Sequence, residues 1–161
     1  MKNLKFTLLV FLLGAFFSST ISGQVEEKEG LMSLGDKNAL VIDVQNVDKK
    51  KLESFFKEYF KEWGKVKFNR KAGEYYMSEA KLKPVSKEKV DVYAKMEELN
   101  KAARLMLWID NGEGFVSSES FEEQYDDAAK MLVDFDIFVE KSLIETELKD
   151  AEKNLGKMER D

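Results

Sequence analysis

Hydrophobic and polar positions alternate along Ala39–Val47. Leu40, Ile42 and Val44 fall on one side, and Val41, Asp43 and Gln45 on the other, the period of a half-buried strand. The pattern then changes. Leu52, Phe55, Phe56, Tyr59, Phe60 and Trp63 recur at steps of three and one, which places six large apolar side chains on one helical face. Asp48 is positioned as the N-cap, Val47 and Leu52 as a hydrophobic staple across it, and Gly64 as the stop. Alternation returns through Val66 and Phe68 in Lys65–Arg70. A turn at Lys71-Ala72-Gly73 follows, then a strand over Glu74–Leu82 that Pro84 ends. Lys89–Met96 alternates with Val90, Val92, Ala94 and Met96 on one face, and Glu97–Lys101 reads as a polar loop. Ala103–Ile109 places Leu105, Leu107 and Ile109 together. Asp110–Gly114 reads as a turn, and Phe115-Val116 as a short strand end.

The last periodic segment is the longest. Ser120 and Glu123 form a capping-box pattern. Phe121, Tyr125, Ala128, Leu132, Phe135 and Val139 then recur at steps of four and three. Beyond Val139 the stripe shifts to Ile144, Leu148, Ala151 and Leu155, a candidate self-association seam. A continuous helix from Ser120 to Leu155 is about 54 Å long at ~1.5 Å per residue. A domain of about 100 residues is only about 34 Å across. One end of the helix must therefore project, or pack on a partner.

The predicted order is strand, helix, four strands, helix. Short connections make the middle strands an antiparallel meander, and both helices need the apolar face of that sheet. The expected fold is α+β: a two-layer sandwich with an antiparallel sheet of about five strands in the order β-α-β-β-β-β-α. It is a TATA-binding-protein-like or ferredoxin-like variant with a long C-terminal helix. Residues 38–143 form the domain and 144–161 its projecting extension. Residues 24–37 are expected as an N-terminal arm, pinned by Leu31, Met32 and Leu34.

Residues 1–23 follow a different logic. Lys2 and Lys5 precede an apolar run over Phe6–Phe17, and small polar residues lead to Gly23, the order of a cleavable signal peptide. The run of twelve residues reaches about 18 Å, short of the ~30 Å hydrocarbon core. No cysteine stands near the cut to take a lipid. The expectation is export to the periplasm or beyond the cell, with no membrane span after cleavage.

Charge adds to this picture. The chain carries −5; cleavage after Gly23 removes Lys2 and Lys5 but no acid, which leaves 24 basic against 31 acidic residues and −7. Nucleic acid is an unsuitable partner for such a surface. The charge is also segregated: Lys49–Lys71 holds nine basic and three acidic residues, and Glu113–Asp161 holds fifteen acidic and six basic. That asymmetry suits contact between the halves, within or between chains.

The chain has no His and no Cys. Ser–His–Asp triads, Cys–His pairs and His bases are thereby excluded, and zinc, haem and iron–sulfur sites lose their usual ligands. No cofactor and no catalytic residue is assigned. Ser54-Phe55-Phe56-Lys57 and Ser86-Lys87-Glu88-Lys89 match S-x-x-K but lack the S-D-N and K-T-G elements that accompany it in penicillin-binding enzymes. Glu122, Glu123, Asp126 and Asp127 suit a helix start, where the macrodipole favours acids. Asp110–Gly114 lacks the ligand spacing of a calcium loop. Lys49, Lys50 and Lys51 oppose the dipole of their helix and form a candidate anion patch, against the plainer reading of a solvated lysine face. If Val90, Val92, Leu105 and Leu107 face the helices, then Tyr93, Met106 and Trp108 face away, joined by Tyr75 or Tyr76. Tyr75, Tyr93, Met106 and Trp108 are the candidate interaction surface, unless the N-terminal arm or another subunit covers that face.

Gly23-Gln24 at the cut, Gly30-Leu31-Met32-Ser33-Leu34-Gly35, Asn69-Arg70-Lys71-Ala72 and Val90-Asp91-Val92-Tyr93 resemble a family of small exported Bacteroidota proteins with no known activity. The resemblance spans most of the mature chain and implies no functional residue. The functional expectation is an exported, non-enzymatic interaction module for a protein or envelope component, self-associating through its last helix. The alternatives are a small carboxylate-based hydrolase or ligand carrier, and an envelope-associated anion binder.

Overall fold

The computed structural model describes residues 25–158. The signal-peptide reading lies outside the described residues. Over these described residues the fold is α+β, with one antiparallel sheet, a short helix and a long C-terminal helix. In order these are β1 (Glu26–Met32), β2 (Gly35–Gln45), α1 (Lys49–Phe60), β3 (Lys67–Asn69), β4 (Glu74–Ala80), β5 (Val90–Leu99), β6 (Ala102–Asp110) and α2 (Glu122–Met158). The six strands lie in the order β1-β2-β6-β5-β4-β3. From β2 onward the expected β-α-β-β-β-β-α sequence of elements is present. The sixth strand is β1, in the segment expected as an arm.

The reason lies in the hairpin geometry. Gly35 adopts φ +97° at the start of β2, a conformation that costs glycine little. It lets residues 26–32 turn back and pair with 35–41, Glu26 opposite Val41 and Met32 opposite Gly35. Ala39, Leu40, Val41 and Ile42 are consequently all buried, so β2 is covered on both faces rather than half-buried.

The main core lies between the sheet and the two helices. Leu40, Ile42 and Val44 of β2, Val90, Val92 and Ala94 of β5, and Leu105 and Leu107 of β6 supply its floor. Leu52, Phe56 and Phe60 of α1 and Ala128, Leu132, Phe135 and Val139 of α2 close it from above. Tyr59 joins the helices: its ring lies 5.2–5.3 Å from those of Trp63, Phe135 and Phe138. Such edge and tilted contacts add to the area that large rings bury.

The start of α1 is built as its sequence implies. The Asp48 carboxylate accepts the Lys51 N–H at 2.7 Å, and Val47 and Leu52 are both buried beside it. The helix ends at Phe60, earlier than Gly64, because the Trp63 N–H turns back to the Phe60 carbonyl at 3.1 Å and tightens the exit. Strand β5 runs on to Leu99, through the segment expected as a loop, because Glu97 pairs opposite Arg104 and extends the ladder. Asn100 and Lys101 then make the turn, with Lys101 at φ +59°.

Ser120 is not the cap of α2. Its N–H is taken by Ser117 Oγ and its carbonyl by the Ser117 N–H, so its polar groups close a turn before the helix. Phe121 follows at φ +65° with its ring over Gly114, and the helix begins at Glu122. Helix α2 is continuous for 37 residues, about 55 Å at ~1.5 Å per residue.

Candidate functional site

The sheet face away from the helices carries a second, smaller core. Met32, Ala39, Val41 and Trp108 are buried in it, and Tyr93, Met106 and Phe115 are half-buried around it. The β1–β2 hairpin curls over this face. Trp108 donates its indole N–H to the Lys37 carbonyl at 3.0 Å, and Lys95 Nζ donates to the Leu31 carbonyl at 2.8 Å. At the hairpin tip, the Ser33 N–H donates to Glu74 Oε2 at 3.0 Å and the Ser33 hydroxyl to Glu74 Oε1. Glu74 stands on β4, beyond β6 and β5 in the sheet, so the hairpin spans the outer face from one side to the other.

This arrangement corrects the candidate aromatic surface. Trp108 is fully buried beneath the hairpin and offers nothing to a partner. The first strand, expected as an arm, is what covers it. Tyr93 and Met106 remain half-buried on that face. Tyr75 points the other way, into the main core: its ring lies 5.9 Å from Phe56 and 4.7 Å from Phe68. Its hydroxyl donates to Glu53 Oε2 at 3.0 Å, and burial, reinforced by that acceptor, pushes its pKa up to about 12. Tyr76, the next residue, stands opposite Tyr93 on the outer face.

A cleft opens beside the hairpin tip, about 490 Å³ in volume. Tyr76, Tyr93, Ser33 and Glu74 line it, with Asn69, Arg70 and Lys71 of the β3–β4 turn. Burial, with Asp91, Asp110 and Glu74 nearby, raises the pKa of Tyr93 and keeps its hydroxyl protonated.

The expected seam on α2 is exposed. Among the described residues the last buried position is Val139, and Leu143 is half-buried. Beyond it Ile144, Leu148, Leu155 and Met158 are 64%, 58%, 60% and 78% accessible, with Ala151 exposed between them. A groove of about 330 Å³ lies at the root of this stretch, lined by Gln45, Asn46, Glu140, Leu143, Ile144 and Glu147.

The remaining candidates are placed as follows. Lys49, Lys50 and Lys51 are exposed. Two carboxylates already serve the N–H groups at that helix start: Asp48 accepts from Lys51, and Glu98 accepts from Lys49 at 2.7 Å. The tripeptide therefore lies beside an engaged helix terminus, which explains how three cations are tolerated there. Lys57 of the first S-x-x-K match holds Nζ 5.7 Å from the Tyr75 ring centroid. Ser86 of the second accepts the Glu88 N–H. Among the described residues no three acidic side chains come close enough to hold a metal ion, those at the start of α2 included.

No family model matches the chain, and no match is found among curated proteins or solved structures.

The strand pattern shows which residues share a face, but not that β1 roofs one. The signals for that were Gly30 and Gly35 either side of an apolar Leu-Met pair, a hairpin spacing that a polar flank obscured. Arg70 and Glu74 flank one turn, and Ser33 reaches them only through the fold.

Proposed function

We propose that this protein is an exported, non-enzymatic interaction module that assembles through the outer stretch of α2. One observation carries the reading. A single helix leaves the domain after Val139 and continues to Met158, and its apolar side chains there keep the four-three spacing of a helix–helix seam while exposed. A helix packed on its own domain needs no such stripe beyond the core.

The partner that fits is a second copy. Residues 140–158 hold five acids and four lysines, a net of −1, so two such stretches meet with little repulsion, whereas Glu113–Glu140 is strongly acidic. An antiparallel pair places the end of each helix at the root of the other, where the groove beside Leu143 and Ile144 is open to receive it. The seam spans only about two heptads, which supports a reversible dimer rather than a permanent coiled coil.

Light scattering of residues 24–161 and of the same chain ended at Leu143 tests this. Residues 25–143 contain both apolar cores, so the shorter chain retains the fold. The longer protein is expected to gain mass with concentration and the shorter to stay monomeric. Two monomers at tens of micromolar contradict the reading.

A further inference from the structure

The cleft on the outer face of the sheet lies opposite the helices and takes no part in that assembly. We propose that it binds a small ring-shaped carboxylate, a ligand with one flat ring face and one acid group. The floor is aromatic: Tyr76 and Tyr93 are cross-strand partners, both half-buried on the same face. Both line the cleft, where an exposed ring edge or face is open to a sugar ring or an aromatic ring. The rim is cationic. Arg70 and Lys71 stand exposed in the β3–β4 turn and line the cleft; Lys67, outside the lining, holds Nζ 5.6 Å from the centroid of the Tyr76 ring. Among the described residues, none of these three cations forms an ion pair.

Two cations in the lining, Arg70 and Lys71, stand against one acid, Glu74. Glu74 is 1% exposed, and its two oxygens accept the Ser33 N–H and O–H. It fixes the hairpin wall of the cleft. The rim thus holds an excess of positive charge in a chain of net −5. An anion entering over the tyrosines removes that repulsion.

The backbone of the turn offers no anion site of its own. The Lys71 and Ala72 N–H groups are both taken by Asn69 Oδ1, and the Gly73 N–H by the Asn69 carbonyl. No cradle of free N–H groups is left there for a tetrahedral phosphate. Recognition falls to side chains, and the planar Arg70 fork matches a planar carboxylate. The volume of about 490 Å³ lies within the usual range of small-ligand sites, ~300–1,000 Å³, and has room for one substituted six-membered ring. The protonated Tyr93 hydroxyl is a donor for a ring oxygen.

Uronic-acid sugars and monocyclic aromatic acids share this chemistry, and two probes separate them. Residues 24–161 are titrated with glucuronate and with 4-hydroxybenzoate, and with glucose and acetate as controls, following the tyrosine ring resonances by NMR. At least one ring acid is expected to bind, at least tenfold more tightly than either control, with shifts at Tyr76 and Tyr93. The R70A/K71A double variant, altered only at exposed turn positions, is expected to weaken that binding at least tenfold while its thermal unfolding is unchanged. Binding of glucuronate alone assigns a sugar acid, and of 4-hydroxybenzoate alone an aromatic acid. If neither ring acid binds more tightly than glucose or acetate, or if R70A/K71A binds as well as the parent, the proposal is overturned.

Discussion

The indole of Trp108 closes against the backbone of Gly30 so tightly that a Cβ at position 30 would stand 3.0 Å from its Cζ2. The same Cβ would lie 3.4 Å from Met106 Cε, but the methionine is flexible and half-buried. Trp108 cannot yield, because it is fully buried and its N–H is held by the Lys37 carbonyl. Gly30 is what lets β1 lie down on the outer face.

Gly30→Ala is therefore expected to destabilise the fold by about 1–3 kcal/mol, the usual range for forcing an extra carbon into a packed site. Gly64→Ala is the control: a Cβ there meets Ala80 at an ordinary 3.5 Å. Urea unfolding of the two variants should separate them, with position 64 the milder. Equal effects at both positions would show that the hairpin does not rest on Trp108.

Asp43 and Arg104 pair across β2 and β6 through two hydrogen bonds, at 2.7 and 2.8 Å. The Arg104 guanidinium holds the Asp43 carboxyl below the usual carboxylate range, against a smaller opposing effect of burial. A lowered folded pKa means that the pair stabilises above the unfolded value of about 4, and that this is lost as pH falls through the folded value. Both side chains are partly open to water, so the contribution is about 0.5–1 kcal/mol. Asp43→Asn should be less stable than the parent by that amount at pH 7, and the gap should close in acid. A gap that persists to low pH would assign the effect to packing instead.

Alkali should act through two other residues. Tyr59 and Tyr75 are both pushed up to about 12, chiefly by burial, with Asp134 and Glu62 adding at Tyr59 and Glu53 at Tyr75. A raised folded pKa makes the neutral phenols stabilising below about 10, with that contribution lost as pH rises toward about 12. In a phenolate absorbance titration these two should ionise last in the native protein, and all five tyrosines near 10 once it is unfolded. The Tyr59→Phe/Tyr75→Phe variant should lose less stability between those pH values; an unchanged slope would locate the alkaline transition elsewhere.

Much of the fold is legible in local periodicity. The steps from Leu52 to Phe60, the Asp48 cap and the alternation through Val90 and Val92 each specify an element and the face that it buries. Long-range covering is not legible in that way. Nothing local to Trp108 says that Gly30 will lie over it, and nothing local to Tyr75 and Tyr76 says which of the two faces the helices. Cross-strand register decides both, and it depends on a hairpin whose strand, Glu26–Met32, is too polar to announce itself. The extension of α2 is the reverse case. Its length and second seam can be read directly, because an exposed stripe depends on no other part of the chain.

That stripe carries the central claim, and sedimentation equilibrium of residues 24–161 beside the Leu148→Glu/Leu155→Glu variant tests it most directly. Both substituted positions are exposed, so the folded domain is preserved while two charges enter each seam. The account predicts a concentration-dependent dimer for the parent and a monomer for the variant. The same mass for both proteins at every concentration would contradict it.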